Sequence, residues 1–155
     1  MTQTLQRSLT LRARVVLATA RGVAAGRGDT NVTATHIAIG LVIEGQSMAA
    51  AALVLAGVPL RGLRLDLEAE LGPPPGPPAG DGVALALTPG EQSVVEAASD
   101  LSVYRHVGPE HLLMAILKDA TSPTAKVFAR YGFMAATARE HLEAIARATP
   151  ADGAV

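Results

Sequence analysis

Behind Thr10 the apolar residues Val16, Leu17, Ala20 and Val23 recur at helical spacing on one face, and Thr10 itself is a good helix N-cap. A long helix is expected from that point. Thr33 caps a second, with Ile37, Ile39 and Leu41 in the core, and an Ala-rich third is expected to end at Gly57, placed for a left-handed C-cap. A fourth runs from about Pro59 to Leu71. The order then recurs. Thr88, with Pro89 at the first helical position, opens one helix; Gly108 and Pro109 open the next, with Glu110 in the first turn where the helix dipole favours an acid. Leu112, Leu113, Ile116 and Leu117 supply its core face, Gly132 closes a third helix, and Met134 to Arg147 forms a fourth. No stretch alternates convincingly with period two. The expected fold class is all-α, eight helices in two pseudo-symmetric four-helix repeats packed as one domain.

The recurrence is one of sequence as well as pattern. Residues 33–42 set against 108–117 align His36 with His111, and the register holds without gaps through Ala50 and Ala125, Leu53 and Phe128, Gly57 and Gly132, and Leu67 and Leu142. Upstream, residues 10–20 match 88–98 three positions out of step, so the second copy is shorter in its loop, around Val103 to His106. Between the copies, residues 72–82 are almost all Pro and Gly and can continue neither helix nor strand. The boundaries read as a first repeat over 9–71, a linker over 72–87, a second repeat over 88–147 and a flexible tail over 148–155.

Composition narrows the function classes. The chain has 155 residues, 49% of them hydrophobic, with two Phe, two Tyr and no Trp; the small Ala, Leu and Val that dominate suit closely packed helices. Net charge is −1 with both signs interleaved, which leaves no basic stripe for a phosphate backbone, so no nucleic-acid partner is expected. The absence of cysteine removes disulfides, thiolate metal sites and Cys nucleophiles, and fits a reducing compartment. The first residues lack the apolar core of a signal peptide, and the most hydrophobic stretch is interrupted at residues 44–47, too short on either side to span a bilayer. A cytoplasmic protein without a membrane partner is expected.

The paired segments Thr33-Ala-Thr-His-Ile-Ala-Ile-Gly-Leu and Gly108-Pro-Glu-His-Leu-Leu-Met-Ala-Ile, each behind a Thr-led helix and before an Ala-rich helix ending at Gly, resemble the Clp N-terminal repeat domain at the front of the AAA+ unfoldases ClpC and ClpA. The resemblance covers about residues 9 to 147. It implies a non-catalytic protein- or peptide-binding module of the Clp quality-control system, whose partners are Clp unfoldase or protease components, adaptors or substrate proteins. The chain has no G-x-x-x-x-G-K-[S/T] to cradle nucleotide phosphates, so it is not itself the motor. Its tail reads as a frayed natural end, and a stand-alone protein is expected rather than a piece of a larger unfoldase. In ClpC-like relatives each repeat offers a pocket for phosphorylated arginine, in which a Glu before the motif His holds the guanidinium and a first-helix N-terminus holds the phosphate. Carried over by position, Glu110, Thr88 and Pro89 would serve in the second copy. The first copy keeps Thr10 and Leu11 but has Thr35 where the Glu would stand, so at most one intact site is expected. The alternative is a decoy or immunity protein sequestering peptide toxins, including cyclic peptides, that target unfoldase N domains. Against it, Leu9 and Leu87 stand where relatives often carry aromatic residues.

Other readings are blander. His36 and His111 lack a coordinating partner at sequence spacing; packing is the better reading, a ring N–H tying a loop carbonyl in the first turn of a buried helix. No metal or cofactor is expected. Glu110 reads equally as a surface acid that complements the helix dipole. Arg27-Gly-Asp29 and the sequon at Asn31 read as accidental matches, and Glu44, Asp66, Glu68 and Glu70 as solvated helix faces. No Ser-His-Asp order or paired carboxylates can be argued, so no enzymatic activity is expected.

Overall fold

The computed structural model describes residues 9–79, 88–102 and 106–148. Eight helices account for most of them: α1 (Leu11–Arg27), α2 (Ala34–Glu44), α3 (Met48–Leu55), α4 (Leu60–Leu71), α5 (Pro89–Leu101), α6 (Pro109–Lys118), α7 (Pro123–Ala129) and α8 (Ala135–Ala148). Among the described residues the only extended pairing is an isolated parallel bridge between Leu9 and Val107. The helix starts follow local chemistry. Thr10, Ser47, Thr88 and Ser122 each accept a hydrogen bond from the amide three residues on. Gly57 and Gly132 adopt φ of 81° and 71°, and the amides after them, of Val58 and Phe133, bond back to the Leu53 and Phe128 carbonyls, which is why the third helix of each half stops there.

The two central helices are α2 and α6. From Thr35 to Val42 every residue of α2 is buried, as are Leu112, Leu113, Ile116 and Leu117 of α6. α1 lies so close to α2 that a Cβ on Gly40 would stand 2.5 Å from the Val16 carbonyl oxygen. The aligned position in the second half is Ala115. The halves are not side by side but interlocked: α3 packs against α8 and α4 against α7, so each half closes its core with helices of the other. Phe128 and Phe133, fully buried with ring centroids 6.1 Å apart, fill the second half.

Two sequence expectations change here, and the first part of the linker, residues 72–79, runs without helix or strand docked against α1. The Ala79 amide bonds to the Ala25 carbonyl, Arg27 donates to the Leu71 and Gly72 carbonyls, and Gly28, in the left-handed region, lets the Gly76–Pro77 backbone approach. Glu44 is not solvated: its side chain is 6% exposed and pairs with Arg12 at 2.7 Å. Asp66 accepts the Tyr131 hydroxyl from the other half, whereas Glu68 and Glu70 stay on the open face of α4, Glu68 paired with Arg64. The rest of the linker (residues 80–87, with Leu87), residues 103–105 of the shortened loop and the tail from 149 lie outside the described residues. No single helix among those described is long and apolar enough to cross a membrane; the most hydrophobic pair, α2 with α3, is bent by 83° and lies largely in the core.

Candidate ligand-binding site

Each first-helix start abuts the histidine motif of the opposite half. The Thr10 amide donates to the Val107 carbonyl at 2.9 Å, three residues before Glu110. At the other junction the Thr88 hydroxyl accepts from the Val32 amide and donates to the Val32 carbonyl, three residues before Thr35. The pairs brought together are therefore Thr10 and Leu11 with the approach to Glu110, and Thr88 and Pro89 with the approach to Thr35. Counting within each copy would have paired them the other way.

The two junctions offer different chemistry. At the start of α5 no first-turn amide is left for an anion: Pro89 has none, the Gly90 amide bonds to Asn31 Oδ1 at 3.2 Å, and the Glu91 amide is taken by Thr88. Thr35, 6% exposed, is locked to the Thr124 hydroxyl at 2.7 Å. This junction is filled by the chain itself. At the start of α1 the Ala13 amide is capped by Thr10, while the Leu11 and Arg12 amides have no acceptor among the described residues. Glu110, half-buried, has no donor among them either. Its Oε1 lies 3.3 Å from His111 Nδ1, but that nitrogen already accepts the Gly108 amide at 3.0 Å, so the two face each other as acceptors.

The motif histidines explain why a His stands three residues after each cap. His36 Nδ1 accepts the Thr33 amide at 2.9 Å as His111 Nδ1 accepts that of Gly108, a side-chain acceptor turned back onto the N-cap. The expectation of a ring N–H on a loop carbonyl is reversed, because the imidazole supplies its lone pair. A backbone amide can only donate, so in both rings the proton sits on Nε2. His36 gives that proton to Asp29 Oδ2 at 2.9 Å, and the same oxygen takes Arg27 Nε at 2.9 Å. The Arg-Gly-Asp match thus marks a real ion pair with a structural role. Burial pushes the Asp29 carboxyl up, but hydrogen bonds from His36 and Arg27 outweigh it and hold the carboxyl below its ordinary range. Sequence reasoning also missed Arg21, whose Nε donates to Glu91 Oε1 at 3.1 Å and whose Nη2 lies 2.7 Å from Oε2 of this fully buried acid. Seventy residues separate them, and no local spacing announces the pair. Among the described residues no group of three or more His, Asp or Glu is placed to hold a metal ion.

A family model described as the Clp repeat (R) N-terminal domain matches residues 8–106. The chain belongs to the Clp repeat N-terminal domain family. Curated relatives of this Clp repeat domain include the chaperone protein ClpB of Oceanobacillus iheyensis, 29% identical over 136 residues, and the negative regulator of genetic competence ClpC/MecB of Bacillus subtilis, 29% identical over 138. Each alignment covers 86% of this chain and 16% of the relative, so the chain spans about a sixth of their length. The Hsp104 N-terminal domain from Candida albicans has the same fold, with a TM-score of 0.66 over 87% of this chain and 89% of that one at 15% identity.

Proposed function

We propose that this Clp repeat domain is a non-catalytic binding module that presents one ligand junction, at the start of α1, to substrates, adaptors or arginine-phosphorylated proteins handled by a Clp machine. The observation that carries this reading is the pairing of a carboxylate that has no donor among the described residues, Glu110, with a helix start whose Leu11 and Arg12 amides have no acceptor among them. A carboxylate matches the fork of a guanidinium, and first-turn amides with the helix dipole favour a phosphate. Leu11, 77% exposed, and Val15 one turn on offer apolar surface to the residues flanking such a ligand. The junction at Thr88, Pro89 and Thr35 contributes no second site in this reading. Its amides are taken and its acid position is a buried threonine.

Calorimetry with free phosphoarginine tests it. One equivalent should bind, Glu110→Ala should abolish the heat and Asn31→Ala should leave it unchanged. An absence of heat at millimolar ligand sinks the phosphoarginine part. The decoy reading draws on the same exposed Leu11 and Val15, and saturable binding of a cyclic-peptide Clp inhibitor would favour it.

A further inference from the structure

A glycine caps α6 where the backbone does not call for one. Gly108 has φ −101° and ψ 176°, and Thr33, the aligned cap of α2, has φ −99° and ψ 173°, an extended conformation open to any residue. What the glycine changes is space. The three atoms nearest to a Cβ on Gly108 all belong to the Glu110 carboxyl group: it would overlap Oε1 and stand 2.9 Å from Cδ and 3.3 Å from Oε2. The two halves thus fill one slot differently. Thr33 Oγ1 lies 2.9 Å from His36 Nδ1, whereas Glu110 Oε1 lies 3.3 Å from His111 Nδ1. One half puts its own cap hydroxyl beside the ring nitrogen; the other, with no side chain at the cap, folds a carboxylate back into that place.

We propose that Gly108 is the positioning residue of the α1 junction: by lacking a Cβ it seats the Glu110 carboxylate against the α6 cap, where it receives the guanidinium of an arginine-phosphorylated partner. This rests on the reading of the α1 start given above and deepens it, since it says what selects that junction. Val107, the residue before Gly108, takes the Thr10 amide, so the folded-back carboxylate lies against the neighbour of the residue that anchors α1. An acid at position 110 then serves only with a glycine at 108, and the first half lacks both, having Thr33 and Thr35. The seat leaves an acceptor beside an acceptor, Glu110 Oε1 next to His111 Nδ1, and a guanidinium N–H donated to the carboxylate relieves it.

The test is Gly108→Thr in the whole chain, which installs the cap residue of the first half. Thr and Gly cap helices about equally well, so the thermal melt should not change. Free phosphoarginine, followed by calorimetry, should bind about tenfold more weakly, because the carboxylate contact is lost. Inorganic phosphate, which needs only the first-turn amides, should shift the Leu11 and Arg12 amide resonances as it does in the parent chain. A crystal structure of the variant should show the Glu110 carboxylate turned away from residue 108, with the start of α6 in place. No binding of phosphoarginine by the parent chain would overturn the reading of the α1 junction itself, whereas undiminished binding by Gly108→Thr would overturn the role of Gly108 alone. A phosphate response that falls in step with phosphoarginine, or a carboxylate still seated against residue 108, would also overturn that role.

Discussion

Asp29 is the last residue of a tripeptide that looks accidental, yet it ties Arg27 to the buried ring of His36. Its carboxyl is held below the ordinary aspartate value of 3.8 in the folded protein. A group with a depressed folded pKa contributes stability that is present above the unfolded value and is lost as pH falls through the folded one. Asp29→Asn should therefore cost on the order of 1 kcal/mol in urea unfolding at neutral pH, and its curve should converge on that of the parent chain in acid below 3.8. A gap that persists unchanged through the acid limb would contradict this. At this scale the sequence was legible where chemistry is local. Thr10 and Thr88 cap as their residue type dictates. It was not legible where the partner comes from another turn of the fold: Glu44 lies under Arg12 and Thr35 against Thr124 because of packing that no spacing along the chain encodes.

At the scale of elements, α1 and α2 meet backbone against backbone at Gly40. Alanine there improves helix propensity by up to about 1 kcal/mol, but its Cβ would meet the Val16 carbonyl at 2.5 Å, a backbone atom that cannot turn away. Overpacking of this kind costs about 1–3 kcal/mol, so Gly40→Ala should lower the urea midpoint. The second half supplies an internal control: Ala115→Gly, at the aligned position, should cost only the propensity, about 1 kcal/mol. If Gly40→Ala stabilises, the close approach is not rigid. All eight helices were readable from caps, Gly stops and apolar periodicity, but the Ser47 and Ser122 caps and the left-handed stops at Gly28 and Gly45 were not. Their partnering was not, since periodicity tells which face is buried and not against what. The crosswise pairing of Thr10 with the Glu110 approach rests on a single backbone bond to Val107.

In the whole molecule the halves are joined by the packing of α3 on α8 and α4 on α7, by hydrogen bonds such as Thr35 with Thr124, and by a buried ion pair. Glu91 is fully buried and Arg21, from the other half, is its counter-charge. Arg21→Met should cost about 3–5 kcal/mol, because it leaves an uncompensated carboxylate in the core, whereas Arg21→Met with Glu91→Leu should recover most of that loss. Thermal unfolding of the single and double variants measures the difference, and equal losses would mean that the pair acts through packing alone. Because α3 closes on α8 and α4 on α7, neither residues 9–79 nor 88–148 should show a cooperative melt when expressed alone. A sharp transition in either fragment would argue for independent repeats.

The docked Pro/Gly strap then takes on a second meaning. It grips α1 of its own half through the Ala79 to Ala25 and Arg27 to Gly72 bonds, so its first part adds nothing to the span between halves and the connection proper begins after it. Covalent continuity between the halves fixes the effective concentration of two surfaces already shaped for each other. Cut there by a protease, the two pieces should remain a tight heterodimer that falls apart only on dilution, and the same chain tethered more loosely should be able to trade halves with a second copy.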